Sequence, residues 1–528
     1  LGALSVFASA FLFYLASLYP AIAPRDSADM AAAAMTLGVA HPPGYPLYSL
    51  LGRGWISLIP VGNEAYRLGL LSAFAGAAAA SLLFVFMKRR AGAAAGATTA
   101  AVWILSAPLW KFSVLQEKYS LHALFAVALL CLAEGTRENM YARARLSGLL
   151  VGLGLVNHQT LLFWLPAVAW LWIQEARRQD SSVAALTAQA LLPAAAGLAL
   201  NLFLWCRLGS LTDALGVALR SRYGMGVLFA GFARPLTADS AAALIVYAGT
   251  AIVAAVSWPA AVAALAGIIV ARRAHATKAL LFGAALTGPA FFLVSRFDVS
   301  NWVARSVLEP ALLLPALVAA IFSGEAVAAL SRRRAAWGAA GAAVIIAAAA
   351  ASSPAYGEHR DDFLAYDYVR DLRRSVPPGG ALLTAGDTAS FGLRWLALFS
   401  PEARPREVSA SGLVDPGEWL IAHEIRSDAF VSGLGTERLE ALHQAWPAMT
   451  LTPAGLTQGI SRGARTPPSV LRRPRAWSRD ESYARDLKLS YAFASWVSAR
   501  LLERTDPRAA ETFDMTAVAT DPEDYRLR

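Results

Sequence analysis

Apolar runs separated by short basic clusters fill the first two thirds of the chain, at 3–22, 64–87, 92–109, 120–133, 184–205, 241–271, 279–294, 306–330 and 335–352. A bilayer-crossing helix needs roughly 20 apolar residues, and most of these runs approach or exceed that length. The run at 146–173, containing GLLVGLGLVNHQTLLFWLPAVAWLWI, holds Asn157, His158 and Gln159 in its middle and has basic residues at both ends. Both ends lie on one side of the membrane only if the chain goes out and returns, which predicts two short helices turning at Asn157-His158. Such half-depth helices are tolerated where they line a protein cavity. The pattern thus predicts about 11 spanning helices. The first run is too long for a signal-peptide core and has no small-residue cleavage site, so it reads as a retained helix.

Composition agrees with this reading: 56% of the 528 residues are hydrophobic and only 16% charged, outside the usual range for soluble domains. The net charge of +10 would suit a nucleic-acid partner if it formed one patch, but it is dispersed. It lies in Lys88-Arg89-Arg90, Arg143 with Arg145, Arg177-Arg178, Arg272-Arg273 with Lys278, and Arg332-Arg333-Arg334. Every second loop carries a cluster, as the positive-inside rule requires of cytoplasmic loops. The basic excess therefore reports topology, and no nucleic-acid partner is expected. The N-terminus is placed inside, and the loops at 23–63, 108–119, 206–240 and 295–305, with everything after 353, outside. The alanine- and arginine-rich composition points to a bacterial inner membrane with a periplasmic outer side. Cys131 and Cys206 imply neither a disulfide nor a thiolate metal site.

Beyond the transmembrane domain (1–352), residues 353–480 are charged, contain proline and lack a spanning run, which predicts a soluble outer domain. HRDDFLAYDYVRDLRRSV reads as an amphipathic helix, PPGG as a turn, ALLTAG as a strand and DTASFGLRWLALF as a helix, so the domain is read as α/β. Residues 481–528 read as a helix pair resembling one tetratricopeptide unit.

The outward loops carry the candidate chemistry. Asp26 and Asp29, three apart after the first run, would meet at the first turn of a helix beginning at Ser27. They fit a helix cap and its capping-box partner, or a functional carboxylate pair beside the membrane. HPPGYPLY then stops the helix, because its prolines force a rigid turn. His41 in it could bind phosphate, ligate a metal or bond a nearby backbone group, and Tyr45 fits an interfacial aromatic belt. Glu117-Lys118-Tyr119, Asn157-His158, Arg296 and Arg305 lie on the same outward side. Together they would suit an anionic lipid headgroup.

DSADMAAAAMTLGVAHPPGYPLYSLLGR closely resembles the family labelled domain of unknown function 2723, whose eukaryotic branch comprises transmembrane protein 260-like protein O-mannosyltransferases. LWKFSVLQEKYSLHALF and GLLVGLGLVNHQTLLF resemble two further segments of that family, and HRDDFLAYDYVRDLRRSVPPGGALLTAGD its outer domain. The resemblance implies a GT-C-like fold, an all-α polytopic membrane protein. It also implies transfer of a sugar, mannose in the eukaryotic branch, from a polyprenyl-phosphate donor to a protein serine or threonine on the non-cytoplasmic face. In that superfamily an acidic residue of the first outer loop acts as catalytic base or positions the acceptor, and by motif this residue is Asp26. Where the family commonly reads Asp-Ser-Gly-Glu, this chain has Asp26-Ser27-Ala28-Asp29, and the shorter side chain at 29 leaves that position's role open.

A polyprenyl phosphate leaves readily, so the reaction needs a base on the acceptor rather than a glycosidase-type general acid. His158, Lys118, Arg296 and Arg305 are the expected phosphate-side donors, and a single displacement would invert the anomeric centre. No cofactor is required, although Asp26 and Asp29 could hold a divalent cation. A lipid or glycan acceptor, a transporter or flippase, and a non-catalytic scaffold are the alternatives.

Overall fold

The computed structural model describes residues 2–134, 139–221, 234–352, 359–377, 380–384, 386–399, 407–409, 429–432, 450–454, 456–461, 482–503 and 506–520. Parts of three expected features lie outside the described residues: 222–233 of the outer loop, Pro378-Gly379 of the PPGG turn, and 521–528 of the final helical segment. The chain divides into two units, one of Leu1–Leu18, Ala33–Val61 and Arg67–Gly357, the other of Tyr19–Ala32, Gly62–Tyr66 and Glu358–Arg528.

Among the described residues of the chain, six helices are long and apolar enough to cross a membrane: Glu64–Ala91, Val183–Leu208, Ala238–Val256, His275–Ser295, Trp302–Arg333 and Ala335–Ser352. Ala93–Ile104 and Ala107–Val114 form a seventh if counted as one span, bent by 61°. Proline explains where helices differ from the apolar runs. The first run is helical only from Ala3 to Ala16, and Pro20, which lacks an N–H and restricts Tyr19, prevents it from continuing. The expected single helix over 241–271 is two, Ala238–Val256 and Trp258–Ala271. In a continuous helix the Pro259 ring would meet the Ala255 carbonyl, and the chain breaks at Ser257, which has a φ of 73°. The bend before Ala107 likewise precedes Pro108.

The run at 146–173 breaks where its polar centre predicts. Met140–Asn157 is α-helical, Gln159–Phe163 forms a 3₁₀ turn, and Leu165–Arg178 resumes as α-helix. His158 between them is extended, with φ −158° and ψ 120°. Small residues let the first of these helices pack closely on Val183–Leu198: a Cβ at Gly152 would stand 2.3 Å from the Ala194 carbonyl oxygen. Trp164 anchors the far side of the break, its indole donating to the Ala126 carbonyl at 3.3 Å.

The second unit contains a five-stranded sheet: β1 (Ala381–Thr384), β2 (Glu407–Ser409), β3 (Ala429–Ser432), β4 (Thr450–Ala454) and β5 (Thr457–Ser461), in the order β2-β1-β3-β5-β4. β1 runs parallel to β2 and β3, with Leu382 opposite Val408 and Phe430, while β3, β5 and β4 are antiparallel. The expected amphipathic helix is Leu364–Arg374, and Asp387–Leu396 follows β1. Ser482–Leu502 and Pro507–Thr520 pack on one another as a helical hairpin. Arg370 pairs with Asp367 at 2.8 Å and Asp371 at 2.9 Å, and the Tyr491 hydroxyl donates to Asp371 at 3.2 Å.

Candidate functional site

In the first unit the HPPGYPLY turn, the loop before Tyr119 and the break at His158 meet in one cluster. The turn is closed by the Gly44 N–H, which donates to the His41 carbonyl at 2.8 Å. Gly44 has a φ of 91°, which disfavours any side chain, and a Cβ there would also press on the end of the Leu204 side chain at 2.7 Å. Tyr45, itself left-handed at φ 45°, begins the helix Pro46–Leu58 and presents its ring 5.1 Å from that of His41.

Tyr45 covers Lys118. The ammonium lies 4.7 Å from the Tyr45 ring centre, 4.6 Å from that of Tyr119 and 2.8 Å from a Glu117 carboxylate oxygen. It is entirely shielded from solvent. A buried ammonium is costly unless paired, and here a carboxylate and two ring faces supply the compensation. The backbone of this loop is held as firmly as its side chains. Ser72 donates to the Glu117 carbonyl at 3.1 Å, its oxygen accepts from the Glu117 N–H at 3.3 Å, and the Tyr48 hydroxyl lies 3.3 Å from it. Asn157 donates to the Lys118 carbonyl at 3.1 Å and so ties the loop to the helix break.

His158 forms the accessible side of the cluster. Its ring lies 6.1 Å from and nearly parallel to that of Tyr45, 5.0 Å from that of Tyr119 and 5.4 Å from that of His122. Nδ1 is 2.6 Å from the Thr160 hydroxyl. Lys118, Arg220 and His41 all lie within electrostatic reach of the ring. Gln159 donates to the Ala218 carbonyl at 2.5 Å, which fixes the turn bearing Arg220 beside the break. The result is a half-buried cluster of imidazole and phenol rings around a charged pair, an arrangement suited to an anion carrying an apolar chain.

Seven of the residues singled out from sequence are therefore brought together: His41, Tyr45, Glu117, Lys118, Tyr119, Asn157 and His158. Asp26 and Asp29 belong to the second unit. There Asp26 directly precedes the helix Ser27–Thr36, and its carbonyl accepts from the Met30 N–H at 2.9 Å. The Arg25 N–H donates to Thr388 at 2.6 Å, and the Ser27 hydroxyl accepts from the Ala23 N–H at 2.9 Å. Asp29 is buried and Asp26 half-buried.

Arg296 and Arg305 form other groups, and no hydrogen bond, ion pair or ring contact among the described residues joins them to His158. Arg296 ends the helix Phe291–Ser295 in a left-handed conformation, and its carbonyl accepts from the Arg234 N–H at 2.9 Å. Asp298 follows, held below the usual carboxylate range by hydrogen bonds from Ser300 and by the nearby Arg234. Arg305 lies within electrostatic reach of Tyr247, as does Glu309, which pairs with Lys111 at 2.6 Å.

Sequence reasoning missed His122, Thr160 and Arg220. His122 follows Lys118 by four residues and so shares its helix face, a signal that was available. Thr160 stands two residues after His158 in the same polar island. Arg220 has no local signal. Among the described residues no group of three His, Cys, Asp or Glu side chains could hold a metal ion.

Residues 26–182 match the family model described as the protein O-mannosyl-transferase TMEM260 N-terminal domain. Protein O-mannosyl-transferase TMEM260 of Mus musculus is 35% identical over 192 residues, covering 35% of this chain and 27% of its own. The Dictyostelium discoideum protein O-mannosyl-transferase tmem260 is 26% identical over 192 residues, covering 33% of this chain and 23% of its own. The matches thus span about a quarter of the length of these relatives. Among solved structures, ArnT from Cupriavidus metallidurans bound to undecaprenyl phosphate superposes with a TM-score of 0.53 at 11% identity, over 88% of this chain and 97% of ArnT. Its apo state gives 0.52 at 13% identity, over 87% and 97%. The fold is accordingly a polytopic helical bundle of the kind seen in ArnT, and the chain is an integral membrane protein whose residues 26–182 match the TMEM260 N-terminal domain model.

Proposed function

We propose that this chain transfers a sugar, mannose being the first candidate, from a polyprenyl-phosphate donor to a serine or threonine hydroxyl of a protein. The reaction takes place on the non-cytoplasmic face, periplasmic if the membrane is a bacterial inner one. The observation that carries this reading is the His41, Tyr45, Lys118, Tyr119 and His158 cluster at the helix break. Its rings suit the apolar start of a lipid chain, and its cations suit a phosphate. The N-terminal family match and the fold shared with a lipid-phosphate-binding protein support it.

In this mechanism His158 and Arg220 donate to the phosphate oxygens, and the shielded charge of Lys118 adds to the field they create in a low-dielectric wall. As the anomeric C–O bond to phosphate breaks, negative charge grows on the leaving oxygens, where these donors stabilise it. Asp26 accepts the acceptor hydroxyl's proton while that oxygen forms the new bond to the anomeric carbon, which is inverted. The scheme requires no cofactor, although Asp26 and Asp29 could hold a divalent cation.

The test is incubation of the purified full chain with a panel of polyprenyl-phosphate sugars and a Ser/Thr-rich peptide, with glycopeptide detected by mass spectrometry. The expected result is a mass increase of one sugar with the wild type and none with Asp26→Asn, a substitution that a helix-capping position tolerates. Undiminished transfer by a folded Asp26→Asn variant removes Asp26 from the mechanism, and transfer with no member of the panel contradicts the proposed activity.

A further inference from the structure

We infer that Thr160 is a positioning residue that fixes the tautomer of His158, so that Nε2 carries the ring proton and is presented as a donor to an anion. This rests on the phosphate-binding role proposed above for His158 and names the device that prepares it.

Thr160 lies in the 3₁₀ turn Gln159–Phe163, immediately past the extended His158. Its hydroxyl is 2.6 Å from His158 Nδ1, its sole hydrogen bond among the described residues. Threonine within helical turns usually sends its proton to a carbonyl three or four residues back. Here the geometry directs it to the imidazole instead. A hydroxyl has one proton and two lone pairs, so losing its acceptor costs more than leaving a lone pair unfilled. The O–H therefore donates to Nδ1, and a neutral ring whose Nδ1 accepts must hold its hydrogen on Nε2. The other faces of the ring are occupied by Tyr45, Tyr119 and His122, which prevent it from rotating to exchange the roles of its nitrogens. An Nε2–H suits a phosphate oxygen, whereas an Nε2 lone pair would repel it.

The experiment uses the full chain with ¹⁵N-labelled histidine in lipid nanodiscs, the His158 resonances being assigned by their loss in His158→Gln. Long-range ¹H–¹⁵N correlation reads the tautomer, and farnesyl phosphate titration reads affinity. Wild type and Thr160→Ser should both show Nε2–H and bind farnesyl phosphate within twofold of one another. Thr160→Val, equal in shape but without the hydroxyl, should show mixed tautomers and bind about three- to tenfold more weakly, the range expected for one hydrogen bond. Nδ1–H in the wild type overturns the inference, as does a Thr160→Val variant unchanged in both tautomer and affinity. A wild type that shows Nε2–H but binds no farnesyl phosphate leaves the tautomer assignment standing and contradicts the donor-binding reading instead.

Discussion

Replacing Lys118 by Met removes the ammonium while keeping an unbranched apolar side chain of similar length. It should destabilise the first unit severely, because it breaks the buried ion pair with the Glu117 carboxylate at 2.8 Å. Breaking a buried ion pair from one side costs about 3–5 kcal/mol. Each of the two ring contacts, at 4.6 and 4.7 Å, adds about 0.5–2 kcal/mol to the loss. Glu117→Gln in the same chain removes the charge that Lys118 balanced, so the double variant should recover most of the ion-pair term and retain only the loss of the ring contacts. Stability in detergent is read as the midpoint of thermal unfolding followed by cysteine-reactive dye or intrinsic fluorescence. Polyprenyl-phosphate binding is read on the same samples. The double variant should fold nearly as well as the wild type and bind the lipid phosphate more weakly, since the ammonium end of the pair no longer lies behind the Tyr45 and Tyr119 rings. If Lys118→Met alone is as stable as the wild type, or Glu117→Gln does not improve it, the pair is not the buried, mutually dependent unit described. If the stable double variant binds lipid phosphate normally, the cation has no part in recognition.

Two further substitutions test the scaffold. Gly44→Ala should cost about 1–3 kcal/mol and lower donor affinity, because alanine is strained at a φ of 91° and its methyl would press on Leu204; unchanged thermal unfolding and binding would refute this. In the second unit, burial and the neighbouring Asp371 charge raise the Tyr491 hydroxyl well above the ordinary tyrosine range. Its contribution is complete below the unfolded-state pKa of about 10 and is lost as pH rises beyond it, because the unfolded chain ionises first. Tyr491→Phe should therefore be less stable by about 1 kcal/mol near neutrality and lose less of its remaining stability between pH 9 and about 11, read by urea or thermal unfolding of the full chain. An identical alkaline profile in both proteins would exclude Tyr491 as the titrating group.

Much of the candidate site was legible because its residues interrupt apolar sequence. The imidazole and carboxamide of Asn157-His158 stop a run that otherwise continues on both sides, and the prolines of HPPGYPLY can be accommodated only as a turn. Glu117-Lys118 is the only adjacent acid–base pair in its loop. What could not be read depends on contacts distant in sequence. Arg25 meets Thr388, and Tyr19 stacks on His359 at 4.1 Å, so the segment bearing Asp26 belongs to the second unit although it directly follows the first helix. Arg220 joins His158 through a turn about 60 residues downstream that only tertiary packing positions. Helix ends differ from the apolar runs for a local reason: the runs carry across Pro20, Pro108 and Pro259 because their neighbours are apolar, whereas the backbone treats these prolines as breaks.

A cryo-EM structure of the full chain in nanodiscs with a polyprenyl-phosphate sugar bound would place the donor. The phosphate should lie within hydrogen-bond distance of His158 Nε2 and Arg220, with the lipid chain's first units against Tyr45 and Tyr119. A phosphate seated instead beside Arg296 or Arg305, away from the helix break, would contradict the assignment of this cluster as the donor site.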